Sequence, residues 1–303
     1  MLVALAFGFC FPIGLLYLRE TMNHTVRGRV DLENMQTPLV GEIPILTKKQ
    51  HWYKPQTKGA LRAVYIKENC NDLINESFRV FRTKLDYFLR SKGNGMDKKV
   101  IMITSFNPGS GKSFISANLS KVLSLKNARV IAIDLDLRHA SLSKMFGNAE
   151  NGITSYLTGM TDNLEDIITP NVTNDGTCDL ISVGVIPPNP AELLLEREKM
   201  NALFSALRER YDYIILDCPP IDIVTDSNII KEYTDITLFV VRAGVMDRRS
   251  LSDVEELYKN ENYKHMAIVL NGTTYIRNRY GNYKYGYSYG YAAGYYGDHH
   301  ENS

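Results

Sequence analysis

Apolar positions along the chain fall into two alternating patterns. Short, nearly unbroken apolar runs at 100–104, 129–135, 179–183, 213–217, 236–241 and 266–270 read as buried strands. Between them lie segments with helical spacing, notably the one opened by Lys112, then 190–210 and 248–259. The helix at 190 carries start signals: Asn189 as N-cap, Pro190 at the first helical position, and Glu192 three residues on. Strands apolar on both sides, alternating with helices, predict an α/β fold with a mostly parallel sheet covered on both faces.

Ahead of this region, Ile74, Phe78, Phe81, Leu85 and Phe88 recur at spacings of four and three, one buried stripe of a helix over 70–91. Glu76, Arg79 and Arg82 form a second, charged stripe on it. By themselves these charges fit either a solvated face with a weak ion pair or a contact with a second copy. Residues 31–60 show no sustained period and read as linker, with short extended pieces docking on the body. Residues 2–18 carry no charge, and Arg19, Arg27 and Arg29 follow. That predicts one transmembrane helix over 1–19 with the downstream side cytoplasmic, a signal anchor or buried helix being the alternatives.

The 303 residues carry 35 Lys plus Arg against 34 Asp plus Glu, so no global field for nucleic acid is implied. Cys10, Cys70, Cys178 and Cys218 lie far apart without ligand spacing, which argues for reduced thiols. Nine of the 19 tyrosines follow residue 274, in a Tyr- and Gly-rich stretch that cannot build a core. By composition it is a disordered tail, and His299 and His300 belong to it as tail residues rather than as a metal site.

Chemistry concentrates where the first strand ends. After Thr104 the loop Asn107-Pro108-Gly109-Ser110-Gly111 gives way to Lys112, Ser113 and Phe114. A strand, a glycine loop and a helix N-terminus form an anion cradle, with Lys112 placed for β/γ-phosphates and Ser113 for Mg²⁺. Phe106 stands where the usual pattern has its first glycine. Two further strand ends carry acids, Asp134 and Asp136 in IAIDLDLR and Asp217 in IILDCPP. A carboxylate at the end of an apolar strand is costly to desolvate unless a cation pairs with it.

The set SFNPGSGKS, IAIDLDLR and IILDCPP resembles the nucleotide motifs of the bacterial tyrosine kinases. ESFRVFRTKL resembles that family's ring-forming helix, PPNPAELL a family segment ahead of a helix, and the stretch after residue 19 its membrane junction. The resemblance implies a P-loop NTPase fold of the MinD/ParA type and a kinase domain over 70–274, between a linker at 20–69 and a tail at 275–303. It implies ATP and Mg²⁺ as cofactors, with residues 107–114 holding nucleotide, and Ser113, Asp134, Asp136 and Asp217 around the metal. Lys112 and the three aspartates are the implied catalytic groups, Asp134 accepting or steering the tyrosine proton. Glu76, Arg79 and Arg82 become oligomer contacts, and Tyr280, Tyr283, Tyr285, Tyr287, Tyr289, Tyr291, Tyr295 and Tyr296 the phosphoacceptors.

Further implied are a homo-oligomeric ring, a protein-tyrosine phosphatase and polysaccharide export machinery as partners, and a place at the bacterial inner membrane. The family's fused forms carry a first transmembrane helix and an extracytoplasmic domain that have no counterpart in these residues. A switch ATPase of the MinD/ParA type is the second reading. That group carries another lysine near the loop start, where this chain has Asn107. A non-catalytic export scaffold is the third.

Overall fold

The structure is a computed structural model. It describes residues 14, 21, 23–45, 64–68, 70–91, 99–173, 178–221 and 226–274. The expected membrane helix at 1–19 and the tyrosines of 275–303 fall outside these residues, apart from the isolated position 14. Among the described residues no helix is long and apolar enough to cross a membrane.

In chain order the strands are β1 (Leu39–Pro44), β2 (Lys99–Thr104), β3 (Val130–Asp134), β4 (Ile168–Thr169), β5 (Cys178–Ile181), β6 (Tyr213–Asp217), β7 (Ile236–Arg242) and β8 (Met266–Thr273). They form one sheet in the order β1-β8-β7-β2-β6-β3-β5-β4, parallel except for the β4–β5 pair. The helices are α1 (Leu73–Ser91), α2 (Lys112–Ser124), α3 (Ser141–Phe146), α4 (Ile153–Leu157), α5 (Pro190–Leu194), α6 (Arg197–Arg210), α7 (Asp226–Ile230) and α8 (Ser250–Lys259).

Successive strand residues point to opposite faces, and both faces are core. Val100 and Met102 of β2 join the cluster that holds Met200, Leu203 and Leu207 of α6. Their neighbours Ile101 and Ile103 join the one that holds Phe78 and Phe81 of α1 and Leu119 of α2. The alternation repeats in β8, with Ile268 and Leu270 on the α6 side and Ala267 and Val269 on the α1 side. Two-sided burial is why these strands read as unbroken apolar runs.

The helix expected over 190–210 is two helices. On a 3.6-residue turn, Met200, Leu203, Phe204 and Leu207 centre on a direction roughly 130° from Leu194. One straight helix cannot bury both, and the chain turns at Leu195 and Glu196, leaving Leu195 exposed. Asn189 does not cap through an accepted backbone bond; its Nδ2 donates to Glu192 Oε2 at 3.0 Å.

The stretch read as linker supplies an edge strand. β1 pairs in parallel with β8 and packs on α1. A Cβ on Gly41 would lie 2.8 Å from the buried Phe81 ring, so only glycine lets this strand approach α1 so closely. Upstream, Val26 N donates to Met246 O and Gly244 N to Val26 O, each at 2.8 Å. Asp31 pairs with Arg248 at 3.1 Å. Glu255 of α8 accepts from Gln36 N, Thr37 N and the Thr37 hydroxyl, at 2.9, 3.2 and 2.7 Å. These charge-assisted bonds hold the Glu255 carboxyl below the usual range against the opposing effect of burial. Residues 23–44 therefore wrap the α/β body as a strap.

Candidate nucleotide site

The carboxyl ends of β2, β6 and β3 lie side by side, with Ile103 beside Asp217 and Asp217 beside Asp134 in register. The loop from β2 to α2 sits over them. Cys218 N donates to Ile103 O at 3.0 Å, Ile221 N to Ser105 O at 2.9 Å, and the Thr104 hydroxyl to Pro219 O at 2.8 Å. These bonds fix the exit of β6 against the start of the loop.

Within the loop, Gly109 and Gly111 take φ of +74° and +92°, which side chains rarely adopt. The hydroxyls of Ser105 and Ser110 both donate to Asn107 O at 2.8 Å. Phe106 is 7% exposed and packs edge-on against Phe239 of β7, ring centres 5.0 Å apart. The position that is glycine in the usual pattern is thus a core position here. Phe114 turns away from the loop, its ring between Tyr65 at 5.7 Å and Phe78 at 5.9 Å, so only its backbone faces the cradle. Gly111 caps α2, Lys112 is 8% exposed, and Ser113 follows in the first turn.

Asp134 is fully buried. Its Oδ2 accepts from Ser143 N at 2.7 Å and the Ser143 hydroxyl at 2.8 Å, while Oδ1 faces Asp136 N at 3.2 Å. Desolvation and the adjacent Asp217 raise its pKa to about 8, against the pull of the Ser143 bonds. Asp217 is 1% exposed, and its Oδ1 accepts from the Ser116 hydroxyl at 3.0 Å. Desolvation raises its pKa to about 6, opposed by Ser113, Lys112 and Ser116. Its Oδ2 is buried without a hydrogen-bond partner. Asp136 is 5% exposed and takes His139 N at 3.1 Å and lies 3.2 Å from His139 Nδ1.

An orphaned carboxylate oxygen beside Ser113 and Lys112 fits a cation that carries further oxygen ligands. Among the described residues no group of three His, Cys, Asp or Glu side chains is arranged to hold a metal ion by itself. Asp134 is turned to Ser143 and Asp136 to His139. The arrangement suits Mg²⁺, which takes one or two carboxylates and completes its shell with phosphate and water oxygens.

Three site residues escape sequence reasoning. Asn271 of β8, 1% exposed, donates from Nδ2 to Ser110 O at 2.9 Å and holds the loop from two strands away in the same sheet. A Cβ on Gly111 would lie 2.2 Å from that nitrogen. Its visible signal is a polar residue at the carboxyl end of an apolar strand, followed by Gly272. Ser143 had no signal of its own. Asp226, 1% exposed, pairs with Arg138 at 3.3 Å and ties the β3 exit to α7.

The charged stripe of α1 has partners within the chain. Arg79 reaches Glu76 at 3.4 Å, Asn71 Oδ1 at 3.0 Å and the carbonyls of Glu68 and Cys70. Arg82 donates to Val122 O of α2 at 2.7 Å. Cys70, Cys178 and Cys218 are free thiols.

Residues 98–262, more than half of the chain, match the family model described as AAA domain. The tyrosine-protein kinase ptk of Acinetobacter johnsonii is 31% identical over 259 residues, covering 85% of this chain and 34% of the relative. The solved kinase domain of Escherichia coli tyrosine kinase ETK is 29% identical with a TM-score of 0.67, covering 84% of this chain and 95% of that one. The chain belongs to the AAA domain family, and the relatives and solved structures it is similar to are named tyrosine kinases. The chimerical protein CapA2B2 has the same architecture, at 26% identity and a TM-score of 0.65, over 82% of this chain and all of that one. The chain spans about a third of the length of the curated relatives it matches.

Proposed function

We propose that the chain is an ATP-dependent protein-tyrosine kinase that phosphorylates the tyrosine-rich tail of another copy. The observation that carries this reading is Asp217, a buried strand-end carboxylate with one orphaned oxygen, set beside Lys112 and Ser113 of an anion-cradling loop. The loop amides from Gly109 to Ser113 and the Lys112 ammonium hold the nucleotide phosphates. Ser113, Asp217 and Asp136 hold Mg²⁺, which when bound neutralises phosphate charge. The tyrosine oxygen bonds to the γ-phosphorus as the bond to the β–γ bridging oxygen breaks, and ADP leaves. The phenolic proton passes to a carboxylate. Asp134 is assigned that role by family resemblance, and its Ser143 bonds must loosen for it to act.

The tail from Tyr280 to Tyr296 supplies the acceptors, within a ring contacted through Glu76, Arg79 and Arg82. Each phosphate adds roughly −1.5 to −2 charge, so a multiply phosphorylated tail repels its neighbours and favours ring disassembly. In this reading residues 1–19 anchor the chain in the inner membrane with the catalytic body cytoplasmic. A phosphatase resets the tail, the cycle regulates polysaccharide synthesis and export, and nucleic acid is no partner. Asn107, where switch ATPases carry a second lysine, supports the kinase over that alternative. Incubation of the purified chain with Mg-ATP, followed by mass mapping of phosphate, separates the readings. Phosphotyrosine at 280–296 marks the kinase, ADP and free phosphate alone the switch, and neither product the scaffold.

A further inference from the structure

The phosphate loop has a cation beside it that no motif announces. Arg242 closes β7 and stands across from Asn271 of β8 in register. Its side chain lies against Gly272, where a Cβ would be 2.9 Å from Nε, 3.0 Å from Cζ and 3.3 Å from Cδ. Its Nη1 reaches the loop, 3.5 Å from where a Cβ on Gly111 would stand. The side chain is half-buried, and among the described residues it has neither a carboxylate partner nor a hydrogen-bond acceptor. Arg248 and Arg249, a few residues on, each take a carboxylate, Asp31 and Asp247.

Gly111 caps α2, so the guanidinium sits near the positive end of a helix. Without an anion the two repel, and the arrangement is unfavourable until a negative group lies between them. The order of the strands says which part of a nucleotide that group is. β2 lies between β7 and β6, with β3 beyond β6. Asp217 and Asp134 end β6 and β3, so the acids stand on one side of the loop and Arg242 on the other. A nucleotide with its γ-phosphate beside Asp217 extends its remaining phosphates across the loop towards β7.

We propose that Arg242 binds the diphosphate portion of the nucleotide, the part that ATP and ADP share. The assignment rests on the reading of this loop as a nucleotide site. A guanidinium presents its donors in a planar fork that matches phosphate oxygens, and its charge does not titrate away. Lys112 and Arg242 then hold the phosphates from within the loop and from β7, while Asn271 fixes the loop between them. Arg242 takes up no proton; it holds the product diphosphate as firmly as the substrate's.

The test displaces a fluorescent ATP analogue from the full chain with ATP, ADP or inorganic pyrophosphate, with Mg²⁺ at fixed salt. Arg242→Gln should weaken all three by a similar factor, roughly tenfold or more, while its urea midpoint stays at the wild-type value. Arg242→Lys, which keeps the charge, should recover at least threefold of that loss. Affinities of Arg242→Gln within twofold of wild type overturn the assignment. Weakening of ATP and ADP without pyrophosphate also overturns it, since the contact would then be with the nucleoside. A lowered urea midpoint with an equal loss in Arg242→Lys does the same, because the side chain would then serve the packing of β7 on β8. A wild-type chain that binds none of the three ligands refutes the nucleotide site itself. One that binds them but transfers no phosphate refutes only the kinase reading and leaves the role of Arg242 standing.

Discussion

Replacing Asn271 tests whether the phosphate loop is held from β8. The side chain is buried and donates to Ser110 O at 2.9 Å, and Ser110 is itself 3% exposed. Asn271→Ala leaves that carbonyl without its donor, which costs about 1–3 kcal/mol for a buried group. If the loop adjusts to recover the bond, the cradle loses its shape, and the same energy appears as nucleotide affinity weakened roughly 5- to 150-fold. Asn271→Asp keeps the size but brings a carboxylate against a carbonyl and towards the phosphates, so it should weaken binding further than alanine. A fluorescent ATP analogue titrated with Mg²⁺ at fixed salt gives the affinities, and urea unfolding of the same samples gives stability. The reasoning fails if both variants bind within twofold of wild type. It fails as well if they lose stability with no change in affinity, since Asn271 would then serve the core and not the loop.

Acid should stabilise the ligand-free protein. Burial, and for Asp134 the neighbouring Asp217, raise both carboxyls above the ~4 of an unfolded aspartate, so the native state binds more protons and stability falls as pH rises above about 4. Urea midpoints at pH 5 and pH 8 check the sign, and Asp217→Asn should flatten the slope, raise the midpoint at pH 8 and abolish Mg-dependent nucleotide binding. Restoring the usual loop pattern with Phe106→Gly should cost about 3–5 kcal/mol by emptying the space against Phe239, without improving nucleotide affinity, as calorimetric Tm and the same titration will report. Gly41→Val drives a side chain into the Phe81 ring and should cost about 1–3 kcal/mol, with faster hydrogen exchange confined first to Leu39–Pro44 and its β8 partners.

The central strands were legible because two-sided burial leaves a dense apolar signature, and α1 because its stripe keeps one phase for about four turns. The glycine loop and the acids at 134, 136 and 217 were legible because their chemistry is local in sequence. What the sequence hid depends on distance or phase. β1 lacks a strong pattern since its pairing partner is more than two hundred residues away. The turn at Leu195 follows from a mismatch of helical phase that only the packed sheet reveals. Asn271 and Ser143 reach the site from β8 and α3, and neither carries a motif of its own. Phe106 illustrates the converse, a departure from a motif that becomes intelligible once its ring is seen packed on Phe239.

The most direct measurement mixes two chains, neither of which can label its own tail. One chain carries Lys112→Met with its tail intact; the other has an intact phosphate loop with Tyr280, Tyr283, Tyr285, Tyr287, Tyr289, Tyr291, Tyr295 and Tyr296 all changed to phenylalanine. With Mg-ATP, phosphotyrosine should appear on the tail of the Lys112→Met chain in the mixture and on neither chain alone. Label on that chain in isolation, or none in a mixture whose wild-type counterpart labels itself, contradicts transfer between copies through Lys112.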